Sequence, residues 1–158
     1  MQGNRLAEAK SIFIQICNGD AKDAEAWHIL GSLYGMLGEL EEASKCCRRV
    51  IALRPDHSQA HLNLGNVLYL QGNLEEAVKE YKLALSIDPN DAAALNNLGN
   101  LVYSLGKVDE AAANFRESIR LNPNNAETHN NLGNIKLGIP RYHCSSSTIN
   151  TDRNTCTY

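Results

Sequence analysis

Residues 24–57 read AEAWHILGSLYGMLGELEEASKCCRRVIALRPDH, and this stretch decides the fold because it returns down the chain at a fixed interval. Gly31 is followed by Gly65, Gly99 and Gly133 at steps of 34, each inside an LG(S/N) triplet. Gly38, Gly72 and Gly106 stand at the same offset, as do Ala43, Ala77 and Ala111, and then Pro55, Pro89 and Pro123. Four series sharing one period without a slip define a repeated structural unit.

The contents of one unit say what it is. In the first half Trp27, Leu30, Tyr34 and Leu37 recur at helical spacing, and Gly38 ends that helix because glycine accepts the left-handed backbone of a C-terminal cap. In the second half Leu40, Ala43, Cys47, Val50 and Ile51 share a face until Pro55 drives Arg54 out of the helical region. Gly31 and Ala43 are small where the two antiparallel helices must approach, since a larger side chain there would cost roughly 1–3 kcal/mol. Asp23, Asp91 and Asn125 precede first helices and read as N-caps, each offering a short side-chain oxygen to an unpaired backbone N–H.

The pattern W-x2-LG-x2-Y, then Ala, an apolar or aromatic residue, and Pro resembles the tetratricopeptide repeat. The resemblance implies an all-α, right-handed solenoid of antiparallel helix pairs, about seven helices in all. Residues 24–57, 58–91 and 92–125 are three full units; 1–23 resembles a second helix alone, through Leu6, Ala9, Phe13 and Ile16; 126–137 resembles a first helix alone. His61, Leu95 and His129 replace the family's Trp, and Leu68 and Val102 its Tyr. Both partial units leave apolar faces without their usual cover, at Leu6 and Phe13 on one side and Leu132 and Ile135 on the other, so self-association through the uncovered ends is expected. From Gly138 the pattern stops: 138–158 holds Pro140, seven Ser or Thr residues and no apolar periodicity, and reads as a disordered, off-pattern tail. The partial units and tail together read as a piece of a longer array.

Composition narrows the function. Fifteen Lys and Arg against 18 acidic residues give a net charge of -3, with no basic excess to hold a phosphate backbone, so nucleic acid is not an expected partner. Apolar runs are far shorter than the roughly 20 residues that cross a bilayer, and the start lacks a signal-peptide layout, so no membrane partner and a cytoplasmic location are expected. Cys17, Cys46, Cys47, Cys144 and Cys156 include no CxxC pair and suit neither a disulfide framework nor a zinc site.

In stacked helix pairs the first helices line a concave surface. Its open-face triples are His28, Ile29 and Ser32; Leu62, Asn63 and Asn66; Asn96, Asn97 and Asn100; and Asn130, Asn131 and Asn134. Asparagine inside a helix costs roughly half a kcal/mol against alanine, so this enrichment needs a cause. One cause is contact with an extended peptide, whose alternating N–H and C=O groups an amide can match. First helices ~10 Å apart would set Asn63, Asn97 and Asn131 against every third residue or so of a strand rising ~3.3 Å per residue. The other is hydrogen bonding between neighbouring helices. Tyr69 and Tyr103, at one repeat position, offer an aromatic wall or simply partly exposed packing. The expected partner-binding set is Asn63, Asn66, Asn97, Asn100, Asn131, Asn134, Tyr69 and Tyr103, and the expected partner is another protein or peptide. The asparagine row also resembles the arm of O-linked N-acetylglucosamine transferases, which would make the chain the substrate-presenting part of a larger enzyme such as a glycosyltransferase.

Some members of the family hold a peptide's terminal carboxylate with Lys, Asn, Asn, Lys and Arg. The matching positions here hold His28, Ser32, Asn63, Ala93 and Asn97 in one register and Leu62, Asn66, Asn97, Glu127 and Asn131 in the next, so no such tail is expected to bind. Glu41–Glu42, Glu75–Glu76 and Asp109–Glu110 recur at second-helix starts, where they complement the helix dipole rather than form catalytic dyads. His57 and His61 are four apart, but Pro55 and its turn leave His57 off the helix that carries His61, which removes a metal spacing. With no phosphate loop, GxGxxG or GxSxG, the reading is of a binding protein rather than an enzyme, without catalytic residues, metal or cofactor.

Overall fold

The computed structural model describes residues 2–137; Met1 and the stretch 138–158, expected to be a disordered tail, lie outside the described residues. The described residues form α1 (Gln2–Gly19), α2 (Ala24–Met36), α3 (Leu40–Leu53), α4 (Ser58–Leu70), α5 (Leu74–Ile87), α6 (Ala92–Ser104), α7 (Val108–Leu121) and α8 (Ala126–Lys136), with no strand. The count is eight rather than about seven, because the partial stretches at the two ends add a helix each to the six between them. Each helix packs on the next, and α2 also touches α4, and α4 touches α6, which is the row of first helices.

Helix ends follow the residues that mark them. Asp23, Asp91 and Asn125 side chains accept from Ala26, Ala94 and Thr128 backbone N–H groups, and His57 does the same for Ala60 through Nδ1. Gly38, Gly72 and Gly106 adopt φ of 74°, 83° and 78°. Each closes the preceding helix with paired bonds: Gly38 N–H donates to Gly35 O and Glu39 N–H to Tyr34 O, and the pattern repeats at Gly72 and Gly106.

The small-residue series is where the pairs touch. A Cβ on Gly65 would lie 2.6 Å from the Tyr81 ring, one on Gly99 2.6 Å from Phe115, and one on Gly31 3.0 Å from Cys46 Cβ. Tyr81 and Phe115 belong to one apolar core that runs from α3 to α7, with Leu132 and Ile135 of α8 against it, whereas Cys17, Ala26, Leu30 and Cys46 make a second core near the first helix. Burial, then the neighbouring Cys47, pushes the Cys46 thiol up to about 12, and burial pushes Cys47 up to about 11, so both pack as neutral thiols.

The replacement of the family's Trp by His at positions 61 and 129 has a direct physical basis. Trp27 Nε1 donates to Ala21 O at 3.2 Å; His61 Nε2 reaches Pro55 O at 3.1 Å and His129 Nε2 reaches Pro123 O at 2.8 Å, so the imidazole repeats the indole's bond to the preceding turn. His61 Nδ1 meets Glu80 Oε2 at 2.7 Å, tying α4 to α5. Second helices are linked on their exposed side by Arg48–Glu76 at 3.7 Å and Lys82–Glu110 at 3.1 Å.

Candidate partner-binding groove

The repeat period brings the middle first helices, α4 and α6, side by side, and a pocket of about 420 Å³ opens between them. Its wall is Asn66, Tyr69, Leu70, Tyr81, Asn97 and Asn100. Four of these come from the sequence-expected set. Asn66 Oδ1 is the hub: it accepts from Asn97 Nδ2 at 2.8 Å and from the Tyr81 hydroxyl at 2.9 Å. Tyr81 is buried, which raises its hydroxyl above the ordinary range, so it stays a protonated donor. These bonds engage both lone pairs of the Asn66 oxygen, which orients its amide N–H pair for other acceptors. The wall carries no Lys, Arg, Asp or Glu, so what it offers is neutral hydrogen bonding and apolar contact.

The remaining expected residues are placed differently. Asn63, Tyr103 and Asn134 are half-buried on α4, α6 and α8, outside the pocket wall. Asn131 requires a correction: it is 1% exposed and its Nδ2 donates to Asn96 Oδ1 at 3.1 Å, so it is an interior residue rather than a rung of an open ladder. The physical reason lies in Asn96, itself buried, whose oxygen also accepts from Thr128 Oγ1 at 3.1 Å while its Nδ2 donates to Glu127 Oε1 at 3.2 Å. The amide row thus divides into a buried joint between α6 and α8 and an open pocket between α4 and α6.

Sequence reasoning missed Leu70 and Tyr81. Leu70 is 64% exposed at the end of α4, and its signal is an apolar residue off the buried stripe immediately before Gln71 and Gly72. Tyr81 occupies the position that holds Phe115 one unit later; its hydroxyl was the available sign that this ring reaches a polar surface.

Neither clamp register holds a cation. His28 packs on His57 with ring centroids 4.9 Å apart, and burial followed by repulsion from His57 lowers its pKa, favouring the neutral ring. Ser32 Oγ is turned to His28 O, and Glu127 supplies a carboxylate in the second register. Among the described residues no group of three or more His, Cys, Asp or Glu is arranged to hold a metal ion, and no helix is long and apolar enough to cross a membrane.

Comparison with known proteins bears on the repeat and the fold. A tetratricopeptide repeat model matches residues 24–57, a second matches 46–79, and a TPR repeat model matches 65–106 and 99–138. No curated protein matches the sequence. Among solved structures, the crystal structure of MamA superposes with a TM-score of 0.80 at 19% identity, over 87% of this chain and 80% of that one. The first TPR of Spaghetti (RPAP3), bound to the HSP90 peptide SRMEEVD, gives 0.72 at 22% identity, over 77% of this chain and 97% of that one. The fold is that of a helical-repeat solenoid. Within that class the chain belongs to the tetratricopeptide repeat family.

Proposed function

We propose that the protein is an interaction scaffold that holds an uncharged, extended segment of a partner protein against the face between α4 and α6. The observation that carries this is the pocket in which Asn66, Asn97 and Asn100 share one wall with Tyr69 and Leu70. Amides pair with the partner's main chain while the aromatic and apolar groups receive one of its side chains. Asn63, Tyr103 and Asn134 extend the contact along the same row.

Leu70→Glu tests the site, because the side chain is largely exposed and its loss does not disturb the core. Partners captured from cell extract by the wild-type chain, and peptides from them titrated directly, are expected to lose roughly tenfold or more in affinity with Leu70→Glu at unchanged helicity. An unchanged partner set would place binding on another face. Affinity should vary little with salt, since the wall bears no charge.

A peptide ending in an acidic carboxylate tail, of the kind seen with the RPAP3 repeat, is expected to bind no tighter than about 100 μM, that is, more weakly than roughly -5.5 kcal/mol. The neutral His28, Ala93 and the Glu127 carboxylate stand where cations would be needed. Calorimetric titration with such a peptide checks this, and a micromolar constant would refute it.

A further inference from the structure

We infer that two copies of this chain join head to tail, with α1 of one copy seated on α8 of another as the second helix that α8 lacks among the described residues. The argument rests on three coincidences of register at the 34-residue period.

The first is a hole and a knob. In the interior units a glycine on the first helix receives a ring from the second: Gly65 under Tyr81 and Gly99 under Phe115. Gly133 is the next member of that glycine series, and among the described residues a Cβ placed on it would meet nothing within 4 Å. The α1 residue at the position of Tyr81 and Phe115 is Phe13, which is covered on one side by the core near α2 and is otherwise half open. Phe13 over Gly133 reproduces the interior contact.

The second is a buried position left open. Val50, Ala84 and Ser118 occupy one repeat position and are each 0% exposed, whereas Ile16, their equivalent on α1, is 40% exposed. Ser118 shows what this position faces, since its Oγ donates to Ala92 O at the start of α6; the equivalent start on α8 is Ala126, which is exposed. Ala9 likewise matches the fully buried Ala43, Ala77 and Ala111 but is only partly covered.

The third is charge. The links Arg48–Glu76 and Lys82–Glu110 join α3 to α5 and α5 to α7 at a fixed separation. The next cation in the series is Arg116 on α7, and the residue that α1 of a second copy brings opposite it is Glu8, in register with Glu42, Glu76 and Glu110. Lys136 on α8 stands where Tyr34 stands on α2, and Tyr34 feels the carboxylate of Glu42, the equivalent of Glu8, so a second cation flanks the same acid. In the same register the chain's own sequence after Gly138 has Ser145 at the Ala111 position and Ile149 at the Phe115 position, but it sets Cys144 opposite Arg116 and Asp152 at the position of buried Val50, so it lacks the charge partner and the apolar residue that α1 supplies. Because the two surfaces differ, the joint is heterologous and each added copy leaves a fresh face, giving open-ended chains.

The test is sedimentation velocity on the full chain over a wide concentration range, beside Gly133→Leu. Among the described residues nothing meets a side chain at Gly133, and leucine favours the helix, so helicity and thermal midpoint at low concentration should equal or exceed wild type. In the joint it occupies the seat of Phe13, and association is expected to weaken roughly tenfold or more. Glu8→Arg and Arg116→Glu chains should each associate less than wild type alone and recover when mixed. A wild type that stays monomeric throughout, or a Gly133→Leu chain that associates equally, overturns the inference. So does a strictly monomeric wild type that Gly133→Leu destabilises, since the chain's own continuation would then occupy the face.

Discussion

Replacing Phe115 by alanine is expected to lower the unfolding free energy by about 3–5 kcal/mol, the range for removing a fully buried aromatic side chain when its surroundings relax only in part. Phe115 is 0% exposed and its ring lies against Gly99, where no side chain from α6 can move in to fill the space. The core it anchors runs from α3 to α7 and also receives α8, so the loss should be felt across the second half of the chain. The separate core of Cys17, Ala26, Leu30 and Cys46 shares none of its buried residues, and in a solenoid each unit contacts only its neighbours. Urea unfolding of Phe115→Ala should therefore show a lower midpoint, and hydrogen exchange should accelerate in α6, α7 and α8 before α1 and α2. A loss below about 1 kcal/mol would mean that α6 and α7 close over the cavity, contrary to the tight approach at Gly99.

The same contacts explain which parts of the molecule were legible beforehand. The period, the helix pairs, the glycine stops and the Asp23, Asp91 and Asn125 caps could be read because each depends on backbone geometry that only certain residues permit. The small residues at Gly31 and Ala43 could be read for the same reason, since close approach excludes a larger side chain. The site was legible only to the level of a row. Asn97 and Asn131 occupy equivalent positions, yet one lines an open pocket and the other is buried. What separates them is Asn96, where the preceding unit has Leu62: an amide at that position captures Asn131 and Thr128, and a leucine cannot capture Asn97. A repeat pattern describes what the units share, whereas the open pocket arises from a pairwise difference between adjacent units.

That difference yields the other large expected effect. Asn96→Ala removes the acceptor shared by Asn131 Nδ2 and Thr128 Oγ1, both on α8 and both buried. Leaving a buried donor without its partner costs about 1–3 kcal/mol, so the variant should lose about 2–4 kcal/mol, concentrated in α8, which packs chiefly on α7. Hydrogen–deuterium exchange read by mass spectrometry should show residues 126–136 opening at least about tenfold faster, with α4 and α5 unchanged. Rescue distinguishes this from a simple loss of volume. The position of Thr128 is alanine in the three preceding units, as Ala26, Ala60 and Ala94, and replacing all members of a buried polar cluster by apolar groups can be nearly neutral. Asn96→Leu combined with Thr128→Ala and Asn131→Leu should therefore restore most of the protection of α8 that Asn96→Ala removes. If Asn96→Ala leaves that protection intact, the buried amides do not hold α8, and the division of the row into a structural joint and an open pocket fails with them. If protection falls and the apolar triple restores it, the asparagines of the last joint are framework, and the proposed contact narrows to Asn66, Asn97 and Asn100.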